Sequence, residues 1–249
     1  MVDQHSSVGH HARWVRATHW VLALAVLVLA ISGVTIFMAH PRLYWGQAGN
    51  DMTAAWLELP IGPNYRHGGW AVPVHFTTAG QDVISASRTA IIFNQNGWAR
   101  SLHFIGAWLL VASGLAYALF ASVTGHGWRN LLPGREGLMP AALLADIRAH
   151  LAHRPVRPGP PYNVLQRWAY TLVLMAVPVM VFSGLAMSPY VTAGYPWVID
   201  LFGGHQTARS VHFLAFSLIA LFVVVHAVMV LRTGALRQVQ AMTIGLKRN

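Results

Sequence analysis

TARSVHFLAFSLIALFVVVHAVMVL, Thr207–Leu231, is apolar along almost its whole length and carries one Arg near its start and two histidines, His212 and His226, fourteen residues apart. A bilayer core is spanned by about 20 apolar residues rising 1.5 Å each, so this stretch is long enough to cross. Three others qualify: Ala17–Met38, Ser101–Ser122 and Val164–Met187. They predict an all-α integral membrane protein with four transmembrane helices, forming one domain over residues 1–249. The first span is expected to be retained, because its apolar run exceeds the roughly 7–15 residues of a signal-peptide core and no small-residue cleavage site follows it.

The composition agrees. Of 249 residues, 55% are hydrophobic and 10% charged, where a soluble domain carries about 25% charged residues. The absence of Cys excludes disulfides, thiolate metal sites, iron–sulfur clusters and covalently attached haem. Lys+Arg number 17 against 7 Asp+Glu, an excess that in a soluble protein would suggest nucleic acid. Here the basic residues are distributed about the spans: twelve of the 17 fall at the termini and between the second and third spans, and five on the other side. The positive-inside bias then places both termini in the cytoplasm of a bacterial inner membrane, with lipid rather than nucleic acid as the partner.

Ala39–Arg100 forms a long outer loop containing PRLYWG at Pro41–Gly46 and PIGPNYRHGGW at Pro60–Trp70. Its length and its aromatics (Tyr44, Trp45, Trp56, Tyr65, Trp70, Trp98) suggest a docking surface for a redox partner, in competition with an interfacial aromatic belt. On the cytoplasmic side, Leu143, Leu144, Ile147 and Leu151 share one helical face of the stretch Pro140–Arg154, which predicts a short interfacial helix.

The chain repeats itself. RSLHF at Arg100–Phe104 recurs as RSVHF at Arg209–Phe213, each heading a span. The first and third spans align through Arg16 with Arg167, His19 with Tyr170, and Ser32-Gly33 with Ser183-Gly184, which suggests a degenerate duplication of a two-span unit. Every span thus has an Arg, a His or Tyr three residues later, and a second marked position fourteen residues further on: His19/Gly33, His103/Tyr117, Tyr170/Gly184 and His212/His226. Fourteen residues are nearly four turns, so both positions share a face, about 21 Å apart.

Depth pairs the histidines. His19 opens a span that starts in the cytoplasm and His226 lies deep in one that starts outside, so both belong to the cytoplasmic level. His103 and His212 both head spans that start outside and belong to the outer level, where Gly33 and Gly184 also fall. Ionisable residues inside a membrane are expensive without a partner and mark function. Two opposed imidazoles at each of two depths, with no thiolate or carboxylate nearby, fit axial ligation of two b-type haems. Zinc would be short of ligands; copper held by His pairs stays open. The glycines would let a flat macrocycle approach the backbone, while Arg16, Arg100, Arg167 and Arg209 lie one turn nearer the water, where they could meet haem propionates or act as interfacial anchors. The remaining histidines, among them His40, His67, His75 and His205, read as surface residues; a metal site at His67 and His75 is possible but nothing in the spacing requires it.

RATHW at Arg16–Trp20, His103 heading the second span, YNVLQRW at Tyr162–Trp168, and the His212/His226 spacing together resemble the di-haem cytochrome b subunits of formate dehydrogenase, nickel–iron hydrogenase and thiosulfate reductase. The outer PRLYWG is most similar to the thiosulfate-reductase-type branch, and the long outer loop matches the other two poorly. The resemblance covers all four spans. It implies one haem on residues matching His19 and His226 and a second on those matching His103 and His212. It further implies electron transfer between membrane quinone and a redox subunit, often a molybdopterin enzyme, with quinone beside the cytoplasmic haem at Asn163 and Gln166. Both amides offer donors and acceptors to a quinone, although Asn163 is also placed to be a helix N-cap. The expected function is therefore that of a membrane electron-transfer subunit of a respiratory oxidoreductase. Two alternatives are a self-sufficient quinol oxidoreductase acting on superoxide or ferric iron, and a non-redox transporter whose histidines relay protons or bind a metal.

Overall fold

The computed structural model describes residues 12–49, 53–59, 61, 76–79, 82–85, 96–125, 131–152 and 163–245. In chain order it contains α1 (Arg13–Phe37), β1 (Arg42–Leu43), β2 (Leu57–Glu58), β3 (Phe76–Ala79), β4 (Asp82–Ser85), α2 (Asn96–Val123), α3 (Pro140–Leu151), α4 (Val164–Ala186), α5 (Pro189–Gly194), α6 (Trp197–Asp200), α7 (His205–Arg232) and α8 (Ala235–Thr243). Four of these helices are long and apolar enough to cross a membrane: α1, α2, α4 and α7. Each begins at or before the residue expected from hydropathy, by as much as five residues in α2. A helix satisfies its own backbone beyond the apolar run, so the hydrogen-bonded ladder continues into the polar flank.

The side-chain distribution is that of a protein in lipid. Leu24, Leu27, Ile31, Trp108, Leu115, Leu119 and Leu221 are each more than half exposed, a surface water would not tolerate. The buried positions on the same helices are mostly small: Ala25, Ser32, Ala99, Ala121, Ala176, Ser183, Ala186, Ala208, Ser210 and Ala215. Without a hydrophobic drive between helices, association in a bilayer depends on close backbone approach and hydrogen bonds, and small residues permit both.

The chain divides into two compact units. The first comprises Met1–Leu22, Ala112–Val177 and Ser217–Asn249; the second comprises Ala23–Val111 and Pro178–Phe216. His19 and His226 fall in the first unit, His103 and His212 in the second.

In the first unit, α3 occupies most of the stretch expected to be helical, and its Asp146 carboxylate accepts the Leu165 backbone N–H at 3.2 Å, covering an orphan donor in the first turn of α4. α8 is held at its C-terminal end by α1: the Arg16 guanidinium donates to the Thr243 carbonyl at 3.0 Å, and the Trp20 indole donates to the Met242 carbonyl at 2.9 Å.

In the second unit, β1 and β2 pair antiparallel, with Arg42 opposite Glu58 and Leu43 opposite Leu57; β3 and β4 form a separate antiparallel hairpin. Pro41, Arg42, Leu43 and Tyr44 are fully buried, so this part of the PRLYWG motif is packed inside. It closes the N-terminus of α7. The Gly46 carbonyl accepts from the N–H groups of Gln206 and Thr207, the Gln47 side chain accepts from that of His205, and the Gly46 N–H donates to Thr207 Oγ1 at 2.7 Å. Gly46 has φ +89°, where a Cβ is strained. At Gly204 a Cβ would lie 2.5 Å from the Gly46 carbonyl carbon. Two glycines thus let the loop lie against the start of the helix that bears His212. Of the remaining loop aromatics, Trp45, Trp56 and Trp98 are exposed, and the first two stack at 5.3 Å. Tyr65, Trp70, His67 and His75 lie outside the described residues.

Candidate functional site

Both histidine pairs expected from depth are formed. The rings of His19 and His226 have their centres 6.3 Å apart and their planes at 55°; His103 and His212 show the same 6.3 Å and 55°. A metal–imidazole bond of about 2 Å places the metal about 3 Å from a ring centre, so two rings across one metal are separated by about 6 Å. Both pairs stand at about this separation. Among the described residues, no group of three or more His, Cys, Asp or Glu could hold a metal, so neither pair is joined by a third such ligand. That donor set is what an iron already bound by four porphyrin nitrogens requires.

The two pairs differ in what surrounds them. His103 Nδ1 lies 3.0 Å from Ser32 Oγ, and His212 Nδ1 lies 2.9 Å from Ser183 Oγ. Each serine hydroxyl donates to a carbonyl of its own helix, Ser32 to Val28 at 2.7 Å and Ser183 to Val179 at 2.6 Å. With its proton engaged there, the serine oxygen accepts from the histidine. With Nδ1 donating to the serine, Nε2 is the ring nitrogen left with a lone pair for a metal.

Gly33 and Gly184 lie against these same rings. A Cβ on Gly33 would stand 3.3 Å from His103 Cε1, and one on Gly184 3.4 Å from His212 Cε1. The nearest thing each glycine clears is therefore an imidazole. The sequence reading assigned these glycines to the macrocycle; the Ser-Gly dipeptide has the further role of seating a ring, with Ser on its nitrogen and Gly under its edge. The serines were seen in sequence only as part of the repeat. What could have assigned them is their position one residue before the glycine in both copies.

Aromatic rings surround His19 and His226. Phe222 stacks on His226 with centres 5.8 Å apart, Tyr170 meets Phe222 edge-on at 6.1 Å, and Trp20 lies edge-on to His19 at 5.4 Å. Tyr117, the other tyrosine of the repeat, packs on Trp14 at 5.6 Å.

The arginines separate. Arg209 donates to the His40 carbonyl and sits 5.7 Å from the centre of the Phe37 ring. Arg16 Nε is buried without a hydrogen bond, although the same guanidinium holds α8. Arg167 donates to the Leu132 carbonyl at 3.3 Å, and Arg100 is exposed. Tyr44, expected from sequence to belong to an exposed docking surface, is instead 1% exposed and stacks on His40, and its hydroxyl has no hydrogen-bond partner among the described residues. Arg16 Nε and Tyr44 Oη are thus buried donors without an acceptor, which is the chemistry a haem carboxylate would meet.

Asn163 and Gln166 form a capping box at the start of α4. Asn163 Oδ1 accepts the Gln166 N–H at 2.8 Å, and Gln166 Oε1 accepts the Asn163 N–H at 3.2 Å. Both side-chain oxygens are therefore engaged by the helix start.

Four apolar helices carrying two matched imidazole pairs define a multi-pass membrane protein of the b-type cytochrome class. The family profile described as "Prokaryotic cytochrome b561" matches residues 10–245, and the chain belongs to that family. Its members are membrane electron-transfer proteins that bind haem b, which sets the transporter reading aside. The chain is 30% identical over 220 residues, covering 88% of its own length and 89% of the relative's, to the "Putative protein-methionine-sulfoxide reductase subunit YedZ1" of Azospira oryzae (strain ATCC BAA-33 / DSM 13638 / PS). The family is thus the expected one at the level of membrane cytochromes b. The relative is named for a sulfoxide reductase, not for the formate dehydrogenase or thiosulfate reductase branches suggested by the motifs.

Proposed function

We propose that this chain is a two-haem electron carrier, with one haem b on His19 and His226 and a second on His103 and His212. The observation that carries this reading is the 6.3 Å ring separation repeated in both pairs. The haem irons supply one-electron chemistry, and the chain's own residues hold and orient them. Arg16 provides a donor for a carboxylate of the first haem, and Arg209 and Tyr44 provide donors for the second; Arg100, exposed, reaches the same level from α2.

Quinone is the membrane-soluble electron donor or acceptor in this reading, bound near the His19/His226 haem at the start of α4. Since the capping box uses both side-chain oxygens, Asn163 and Gln166 would act through their amide N–H groups. The protein partner is the catalytic subunit of a reductase. The relative's description as a subunit of a protein-methionine-sulfoxide reductase supports a sulfoxide reductase, and the family resemblance supports a molybdopterin enzyme. The exposed Trp45–Trp56 stack is the surface assigned to that subunit. Both termini are placed in the cytoplasm and the chain in a bacterial inner membrane, with α3 lying at the cytoplasmic interface.

A dithionite-reduced minus oxidised spectrum, with a pyridine haemochrome assay on the purified protein, tests the reading. Two haems b per chain are expected. One haem per chain would overturn the second site, and a folded protein free of haem would overturn both.

A further inference from the structure

We propose that Ser32 and Ser183 are positioning residues that set the electron density on the two imidazoles of one haem, and thereby its reduction potential, without affecting the other. The proposal rests on the two-haem reading and adds to it residues that touch the imidazoles.

The two serines occupy equivalent places in the repeat and make equivalent bonds. Each lies one residue before a glycine, each is fully buried, and each sends its proton to the carbonyl four residues back on its own helix. Each oxygen then accepts the Nδ1 proton of the histidine on the following long helix, His103 at 3.0 Å and His212 at 2.9 Å. At the other pair the rings have aromatic neighbours, Trp20 edge-on to His19 and Phe222 stacked on His226.

A hydrogen bond from Nδ1–H draws that proton away from the ring and makes Nε2 a stronger donor to iron; outer hydrogen bonds of this kind tune metal sites. The more electron-rich ligand favours the ferric form. Buried in an apolar span, the bond is not exchanged for one with water, so its removal is felt at the iron. Loss of one serine hydroxyl therefore removes an acceptor that lies against that Nδ1.

The test is potentiometric titration of the purified holoprotein, with the second component assigned by its loss in His103→Ala. Ser32→Ala and Ser183→Ala should each raise the midpoint potential of that component. The shift should be less than tenfold in the ferric/ferrous equilibrium, that is, below about 59 mV for one electron. The His19/His226 component should stay at its wild-type value. Ser32→Thr and Ser183→Thr keep a hydroxyl and should restore the wild-type potential. If either alanine variant loses the second haem while its threonine counterpart keeps it, the hydroxyl is still required and the proposal stands. Loss in both, equal shifts of both components, or two unmoved potentials with both haems bound would overturn it. Wild-type protein with no haem at all would instead overturn the two-haem reading.

Discussion

Alanine at Gly33 should tighten the fold and loosen the cofactor. Its Cβ would stand 3.3 Å from His103 Cε1, inside the roughly 3.5–4.0 Å at which carbon atoms rest, so the ring must retreat by a few tenths of an ångström. Displacing a side chain from its preferred torsion costs on the order of 1 kcal/mol, which is about fivefold in affinity. The backbone effect has the opposite sign, because Ala in place of Gly inside a helix stabilises it by about 1 kcal/mol. Gly33→Ala should therefore resist denaturant better than wild type when stripped of haem. It should also give up the haem proposed for His103 and His212 faster to excess apomyoglobin, a transfer followed by absorbance. Gly184→Ala, with 3.4 Å to His212 Cε1, should behave in the same direction but more mildly. Wild-type release rates in both variants would show that neither glycine is there for its ring.

His103→Ala and His212→Ala should each remove the same haem, and His19→Ala and His226→Ala the other; a reduced-minus-oxidised spectrum with redox titration reads which component is missing, and loss of the same component in His19→Ala and His212→Ala would contradict the pairing. At the proposed quinone site, Asn163→Asp and Gln166→Glu preserve the capping oxygens and remove the amide donors, so quinol-driven haem reduction should slow while both spectra stay intact. Asn163→Leu is a poorer probe, because losing the cap alone costs about 1 kcal/mol; unchanged reduction rates in the two acidic variants would move the quinone elsewhere.

The histidine pairs were legible because depth follows from span direction and facing follows from a fourteen-residue spacing, neither of which needs a tertiary contact. Helix boundaries were legible to within five residues for the same reason. Three things were not. The serine bonds to Nδ1 depend on which turn of α1 faces α2, and of α4 faces α7, which hydropathy does not encode. The burial of Arg42 and Tyr44 depends on the loop folding back onto the start of α7, a non-local event that a Gly-, Pro- and Trp-rich stretch signals only as irregular. The reciprocal bond from Gln166 back to Asn163 was the third: the sequence reading placed Asn163 as an N-cap, but which way the Gln166 amide turns is set by its neighbours rather than by spacing.

The duplication explains why the serine supports of one pair come as a matched set. In each two-helix repeat, the Ser-Gly of the leading long helix holds the histidine that heads the next: Ser32 and Gly33 on His103, Ser183 and Gly184 on His212. Both halves of that centre are copies of one local arrangement, so the hold on the ring was duplicated together with the ring. The other centre joins unlike positions. His19 comes from the leading helix of the first repeat and His226 from the following helix of the second, and the positions equivalent to them are Tyr170 and Tyr117. No single local arrangement can serve two histidines that are not each other's copies. Their neighbours accordingly differ, with Phe222 stacked face to face on His226 and Trp20 edge-on to His19. The 6.3 Å separation nevertheless recurs there. A spacing reached once through matched surroundings and once through unmatched ones fits the proposal that both pairs hold the same cofactor.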